Sequence, residues 1–191
     1  MKIRLAIGFA ATLLLAACGS SSSDSNTTAT VVENSASATG FNDADVMFAQ
    51  MMIPHHEQAI EMSDMALDPS TQASKEVIDL ATQIKAAQDP EIKQMKDLLA
   101  AWGQPLTAEM DHGSDMDGML SMDEMQKLGS LKGPDFDYFW AQSMIAHHEG
   151  AIDMAEVVLA DGSNAEALAL ANAIVSAQAT EIDILKSIPK P

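Results

Sequence analysis

Four of the five histidines in this 191-residue chain stand as two adjacent pairs, His55-His56 and His147-His148. The pairs share their surroundings. The stretch from Asp45 to Met62 aligns without a gap on the stretch from Asp137 to Met154. Besides the histidines, identity falls at Asp45/Asp137, Ala49/Ala141, Gln50/Gln142, Met52/Met144, Ile53/Ile145, Glu57/Glu149, Ala59/Ala151, Ile60/Ile152 and Met62/Met154. Imidazole nitrogens and thioether sulfurs are lone-pair donors, and the chemistry that suits them together is the binding of a soft or borderline metal ion. A single buried histidine is more often a core residue bonded to a carbonyl, and a methionine at helical spacing is usually filler. Packing, however, has no use for two adjacent imidazoles in both halves of a chain.

Helix geometry turns these positions into faces. With His55 as origin and about 100° per residue, Phe48, Met52, Ala59 and Met62 all fall within about 60° of it, whereas Glu57 falls at about 200°, on the outer face. His56 lies at the edge of the same stripe, one turn from Met52. The second copy repeats this with Trp140, Met144, His147, His148, Ala151 and Met154. Four buried imidazoles without partners would be costly, and a cation uses their lone pairs. Each doublet helix thus presents two imidazoles and at least two thioethers toward the interior or its rim, the candidates being His55, His56, Met52 and Met62 in the first copy and His147, His148, Met144 and Met154 in the second.

Ligand softness selects the metal. Imidazole plus thioether, without thiolate and with no carboxylate expected to face the core, suits Cu(I) or Ag(I), with Cu(II) open to the imidazoles alone. Zinc has no use for methionine, and di-iron bundles need inward Glu-x-x-His pairs. The only such pair here is Glu109 to His112, between the two copies. That connection is a second candidate metal site: Met110, His112, Met116, Met119, Met122 and Met125, the last four at every third position. Met122 and Met125, with Leu128, could equally form the apolar face of a short helix. Gln88 and Glu91, matched by Gln178 and Glu181, could orient the histidines as hydrogen-bond partners. An ordinary interhelical bond or a solvated charge would serve them as well. No nucleophile triad, phosphate loop or dinucleotide fingerprint occurs, so no catalytic residue and no organic cofactor is expected.

The elements that must position these groups read as helical from about Phe41 onward, with Ala, Met, Leu, Glu, Gln and Lys dominant and β-branched runs absent. A first helix is expected from Asn42 or Asp43 to about Ala66, stopped by Asp68-Pro69-Ser70, and a second to Trp102 with Gly103 as its cap. Ser121 to Glu124 reads as a capping box opening a short helix to Leu128. The second doublet helix follows Gly133-Pro134-Asp135 to about Ala160, and a last helix ends near Ser187. Ile84 to Ile92 repeats as Ile174 to Ile182, so the repeated unit is a helical hairpin. One hairpin cannot bury its apolar stripe. Two stacked as a four-helix bundle can, and the fold class expected is all-α, with repeat halves at about 41–103 and 134–187 and a Met/Asp-rich connection at 104–133. Pro54, inside the first doublet helix, should kink it by depriving the Gln50 carbonyl of its partner, and Pro90 should do the same to the second helix. Ala146 stands where Pro54 does, so the halves are not identical.

Residues 1–17 read as a lipoprotein signal peptide. Lys2 and Arg4 precede an apolar run too short to span a bilayer, ending in Leu15-Ala16-Ala17-Cys18 like a lipobox. Cys18, the only cysteine, would carry the lipid, and residues 18–40 form a Ser/Thr/Ala/Asn-rich tether. The expected location is extracytoplasmic, lipid-anchored to the cell membrane (the periplasmic face of the outer membrane in a Gram-negative cell). Losing the leader takes the formal charge from −18 to −20, which excludes electrostatic attraction to nucleic acid or an anionic bilayer. That charge either concentrates cations or simply maintains solubility.

Three segments together carry a family resemblance: Met52 to Met62; Gln88-x-x-Glu91-Ile with Met95 and Trp102-Gly103; and Gly118-Met119-Leu-Ser-x-x-Glu124-Met125 followed by Met144 to Met154. They resemble the bacterial domain-of-unknown-function family 305, over about Phe41 to Leu185. The resemblance implies a ferritin-like helical bundle. It also implies copper or silver binding outside the cytoplasm through His and Met, with the eight candidates above as the matching positions. The expected function is an extracytoplasmic copper-binding lipoprotein that sequesters or shuttles copper for tolerance or homeostasis, without catalysis. Its expected partners are the ion, the membrane through Cys18, and a copper exporter or another periplasmic copper protein. The alternatives are a ferritin-like metal-dependent oxidase or peroxidase, and a metal-free envelope interaction protein.

Overall fold

The structure, a computed structural model, describes residues 40–108 and 116–191. The leader, Cys18, the tether up to residue 39, Glu109, Met110 and His112 lie outside the described residues. Four long helices form the bundle: α1 (Asp43–Leu67), α2 (Lys75–Trp102), α4 (Gly133–Asp161) and α5 (Ala165–Leu185), with the short α3 (Met122–Ser130) in the connection. No strand occurs among the described residues.

Each start and stop has a local cause. Asn42 caps α1 in a capping box with Asp45, Ser121 and Glu124 cap α3 in the same way, and Asn164 caps α5. Gly103 closes α2 with φ 68°, a left-handed conformation that glycine adopts without penalty. Helices α1 and α2 are continuous through Pro54 and Pro90.

Helices α1 and α2 form one hairpin, α4 and α5 the other, and the hairpins join chiefly along α1 and α4. These two run antiparallel. Asn42 Nδ2 at the start of α1 donates to Asp161 O at the end of α4 (2.7 Å), and Trp140 Nε1 donates to Met62 O (3.1 Å). The matched aspartates lock the hairpins reciprocally. Asp45, fully buried, accepts from the backbone N–H groups of Ser163 and Asn164 before α5, and Asp137 accepts from Ser74 N before α2.

The core falls into two apolar clusters. One holds Ala59, Met62, Leu80, Ile84, Phe136, Trp140, Met144 and Leu185; the other holds Phe48, Met52, Ile92, Met95, Leu99, Ala151, Val158 and Ile174. Along each long helix the two are separated by one polar interval. That interval is His55-His56 in α1, Gln88 to Glu91 in α2, His147-His148 in α4 and Gln178 to Glu181 in α5. The repeat thus builds a polar layer across the middle of an otherwise apolar bundle.

Candidate metal centre

All four doublet histidines have zero solvent exposure. The rings of His55 and His147 meet at the α1–α4 junction with centroids 3.7 Å apart and planes 40° to each other. His148 lies farther off, 6.5 Å from His147 by centroids. His56 and His148 each turn toward a carboxylate on the partner helix of their own hairpin. His56 Nε2 donates to Glu91 (2.9 Å), and His148 Nε2 donates to Glu181 (2.7 Å). His55 Nε2 faces the Asp117 carbonyl oxygen at 3.4 Å, which can only accept, so the proton sits on Nε2 there too.

This arrangement sets the tautomers. With Nε2 donating, Nδ1 keeps its lone pair on His55, His56 and His148, and none of the three Nδ1 atoms has a protein partner. Neither ring nitrogen of His147 has one either. The side-chain amides of Gln88 and Gln178, at matched places in the same layer, are also buried without partners. Buried polar atoms are normally satisfied, so such a concentration at one level of the bundle is unusual. A carboxylate fixing one nitrogen of an imidazole while the other keeps a free lone pair is how metal-binding histidines are commonly oriented. The donor set fits a soft or borderline cation.

The carboxylates correct one expectation. Glu91 and Glu181 reach the histidines as the orienting partners the repeat suggests, and in doing so they bring carboxylates into a layer to which the doublet helices offer none. On α1 the outer face is as its periodicity predicts, with Glu57 exposed and paired with Lys96 (2.8 Å). The inward carboxylates come instead from the partner helices. They are engaged by the imidazoles, and among the described residues no three His, Cys, Asp or Glu side chains are gathered as a metal ion would need.

The thioethers separate into two groups. Met52 and Met144 are fully buried, one turn before the histidines of their helix. Met62 and Met154 lie seven residues beyond the first histidine of each doublet, about 10 Å along the axis. Met62 is buried under Trp140, while Met154 is only partly buried, in a surface groove. The eight candidates therefore do not converge on one point. The face they share runs the length of the helix, and only its middle turn meets the layer.

The connection contributes a cover that the sequence did not disclose. Gln58 pairs with the backbone of Leu120 in both directions (Nε2 to O and N to Oε1, each 2.8 Å). On the other side Gly118 (φ 83°) and Gly150 touch backbone to backbone. A Cβ on Gly118 would overlap the Ala146 carbonyl, and one on Gly150 would overlap the Asp117 carbonyl. Residues 117–120 thus lie across α1 and α4 at the level of His55. Gln58 and Gly150 occupy the same place in the two copies, so the signal was present as a mismatch in the repeat. Of the other connection methionines, Met116 and Met119 are partly buried, and Met125 packs against the core beside buried Leu128. Met122 is 89% exposed and so is no part of the apolar face of α3.

Burial pulls the His55 pKa from 6.5 down to about 3, with repulsion from His56 adding to it, and holds His147 well below the ordinary value, with His55 next in effect. Both are neutral when folded. Below pH ~6.5 the unfolded chain takes up protons at these groups and the folded chain does not. Stability should therefore fall with pH from about 6.5 toward 3, by up to about 1.4 kcal/mol per pH unit per group. Relief of repulsion in so acidic a chain opposes this trend, so the comparison is with His55→Gln/His147→Gln. Urea midpoints of the metal-free proteins between pH 7 and 4 should diverge, the variant showing the shallower loss. Parallel profiles would contradict the assignment.

A helical bundle with a histidine layer at its middle is the class that fold and site define. The chain belongs to the family described as Domain of unknown function (DUF305), whose model matches residues 45–188. It is similar to a DUF305 protein of Streptomyces coelicolor, whose name describes it as secreted. Identity is 32% and the TM-score 0.69, over 74% of this chain and 89% of that one. A DUF305 fragment from Deinococcus radiodurans is 30% identical with a TM-score of 0.69, over 77% of this chain and 95% of that one. The protein CopM in its Cu(I)-bound form is 30% identical with a TM-score of 0.61, over 74% of this chain and 92% of that one, and it has also been solved with Cu(II) and with silver. Comparison with the curated proteins finds no match.

Proposed function

We propose that this protein is an extracytoplasmic, lipid-anchored copper-binding protein that sequesters Cu(I) or passes it on, with Cu(II) and Ag(I) as further ions, and that it is not an enzyme. One observation carries the proposal: four fully buried histidines in one layer, with five ring nitrogens lacking any protein partner. His55, His56, His147 and His148 would hold the ion, Met52 and Met144 would add sulfur from the adjoining turns, and Glu91 and Glu181 would orient His56 and His148. The ion is cargo here. Support also comes from CopM, a structural neighbour solved with Cu(I), Cu(II) and silver. The leader-like N-terminus with Cys18, and the neighbour described as secreted, support the location.

An oxidase reading gains from Glu91 and Glu181 reaching the imidazoles, but each carboxylate is occupied in orienting a ring. The discriminating experiment is thermal unfolding of metal-free protein with and without Cu(I) under reducing, oxygen-free conditions. A ligand held only by the folded state at about a thousand times its Kd adds about 4 kcal/mol, which for a chain of this size raises Tm by about 10 °C. An unchanged Tm would favour the metal-free interaction reading.

A further inference from the structure

Three methionines line a surface groove of about 430 Å³ between the start of α1 and the end of α4: Met47, Met51 and Met154. Met47 and Met51 are four residues apart and so neighbours on one helix face. Met154 enters from α4, which runs antiparallel. The buried Phe48 and Val158 and the exposed, acidic Asp43 and Asp161 are also among its lining residues. Met154 packs in part against the core, as its repeat counterpart Met62 does, but packing does not explain Met47 and Met51. Met47 is 52% exposed, and neither Met51 nor Met154 is fully buried. In the repeat, Met47 and Met51 stand opposite Phe139 and Ser143, so they are not copies of a scaffold position.

Met51 also borders a second, smaller hollow of about 160 Å³, which it shares with Met116 and Pro54. Met116 immediately precedes Asp117, whose carbonyl meets His55. Sulfur donors thus step from the surface groove to the edge of the cover over the histidine layer. Thioethers stay neutral at every physiological pH and favour soft cations, while acidic residues in the lining raise the local cation concentration.

We propose that Met47, Met51 and Met154 form an outer thioether site for a soft monovalent cation, Cu(I) or Ag(I), distinct from the histidine layer and on the way to it. The proposal rests on the soft-metal reading above, and the two can fail separately. The test is a titration of the purified full chain with Ag(I), followed by NMR of ¹³C-methyl-labelled methionines and of the histidine ring protons. The methyl signals of Met47, Met51 and Met154 should move together. Met47→Leu/Met51→Leu keeps the groove apolar and its volume nearly unchanged. It should leave the histidine shifts at saturation intact while weakening silver binding at the groove by about tenfold or more. Ring shifts without these methyl shifts would overturn the outer site and leave the histidine layer standing. Methyl shifts without ring shifts would support the outer site and overturn the layer. Silver retained equally by the leucine variant at the Met154 methyl would also overturn the outer site.

Discussion

Replacing His55, His56, His147 and His148 together by alanine is expected to remove nearly all high-affinity Cu(I) binding. Loss of a single carboxylate that orients a metal-binding histidine costs about 10–100-fold in affinity. Loss of the imidazoles themselves should exceed ~100-fold, a change that competition with a strong Cu(I) chelator resolves easily. The effect should not divide evenly. His55 and His147 touch each other at the α1–α4 junction, whereas His56 and His148 are each fixed by a carboxylate. Singly, Glu91→Gln or Glu181→Gln should therefore weaken binding without abolishing it. Alanine leaves buried cavities, so leucine at the same four positions serves where the alanine variant does not fold. Copper held as tightly by a folded quadruple variant as by the parent would end the copper assignment at this layer.

Gly150→Ala is expected to destabilise the protein, against the usual gain from replacing a helical glycine. In an exposed helix interior that substitution stabilises by up to about 1 kcal/mol. At Gly150 the new Cβ would overlap the Asp117 carbonyl and crowd Gly118 Cα, which is backbone and not the end of a flexible side chain. The connection must lift. It then loses the Asp117 contact with His55, and the paired bonds between Gln58 and Leu120 are strained. A net loss of about 1–3 kcal/mol is expected in urea unfolding, with the range set by overpacking costs. Solvent reaching His55 should also raise its pKa from about 3 toward 6.5, visible in its ring-proton titration. Gly129→Ala is the control. It sits in exposed α3 with nothing near its Cβ position and should stabilise slightly. A stabilised Gly150→Ala protein with an unmoved His55 would show that residues 117–120 do not press on α4.

The sequence alone determined the helices, because their signals are local. Asn42, Ser121 and Gly103 act within a turn of their own position, so the boundaries follow from neighbours in the chain. The repeat also placed His55 and His147 in the core. A three- to four-residue apolar period in the repeat leaves no other face for them once two hairpins must bury their stripes. It likewise nominated Glu91 and Glu181 as partners of the histidines. Only the tertiary structure decided between that and a solvated charge, because they reach the doublets from another helix and their direction depends on how the hairpins pack. It alone separated Met52 and Met144 from Met62 and Met154, which share a stripe but sit at different heights in the bundle. It alone showed that the Gln58/Gly150 mismatch, inconspicuous as a sequence difference, is where the connection crosses. A helix's periodicity fixes the direction of a side chain about the axis. Its neighbours across the bundle are fixed by packing, and the chemistry of this layer lies in those neighbours.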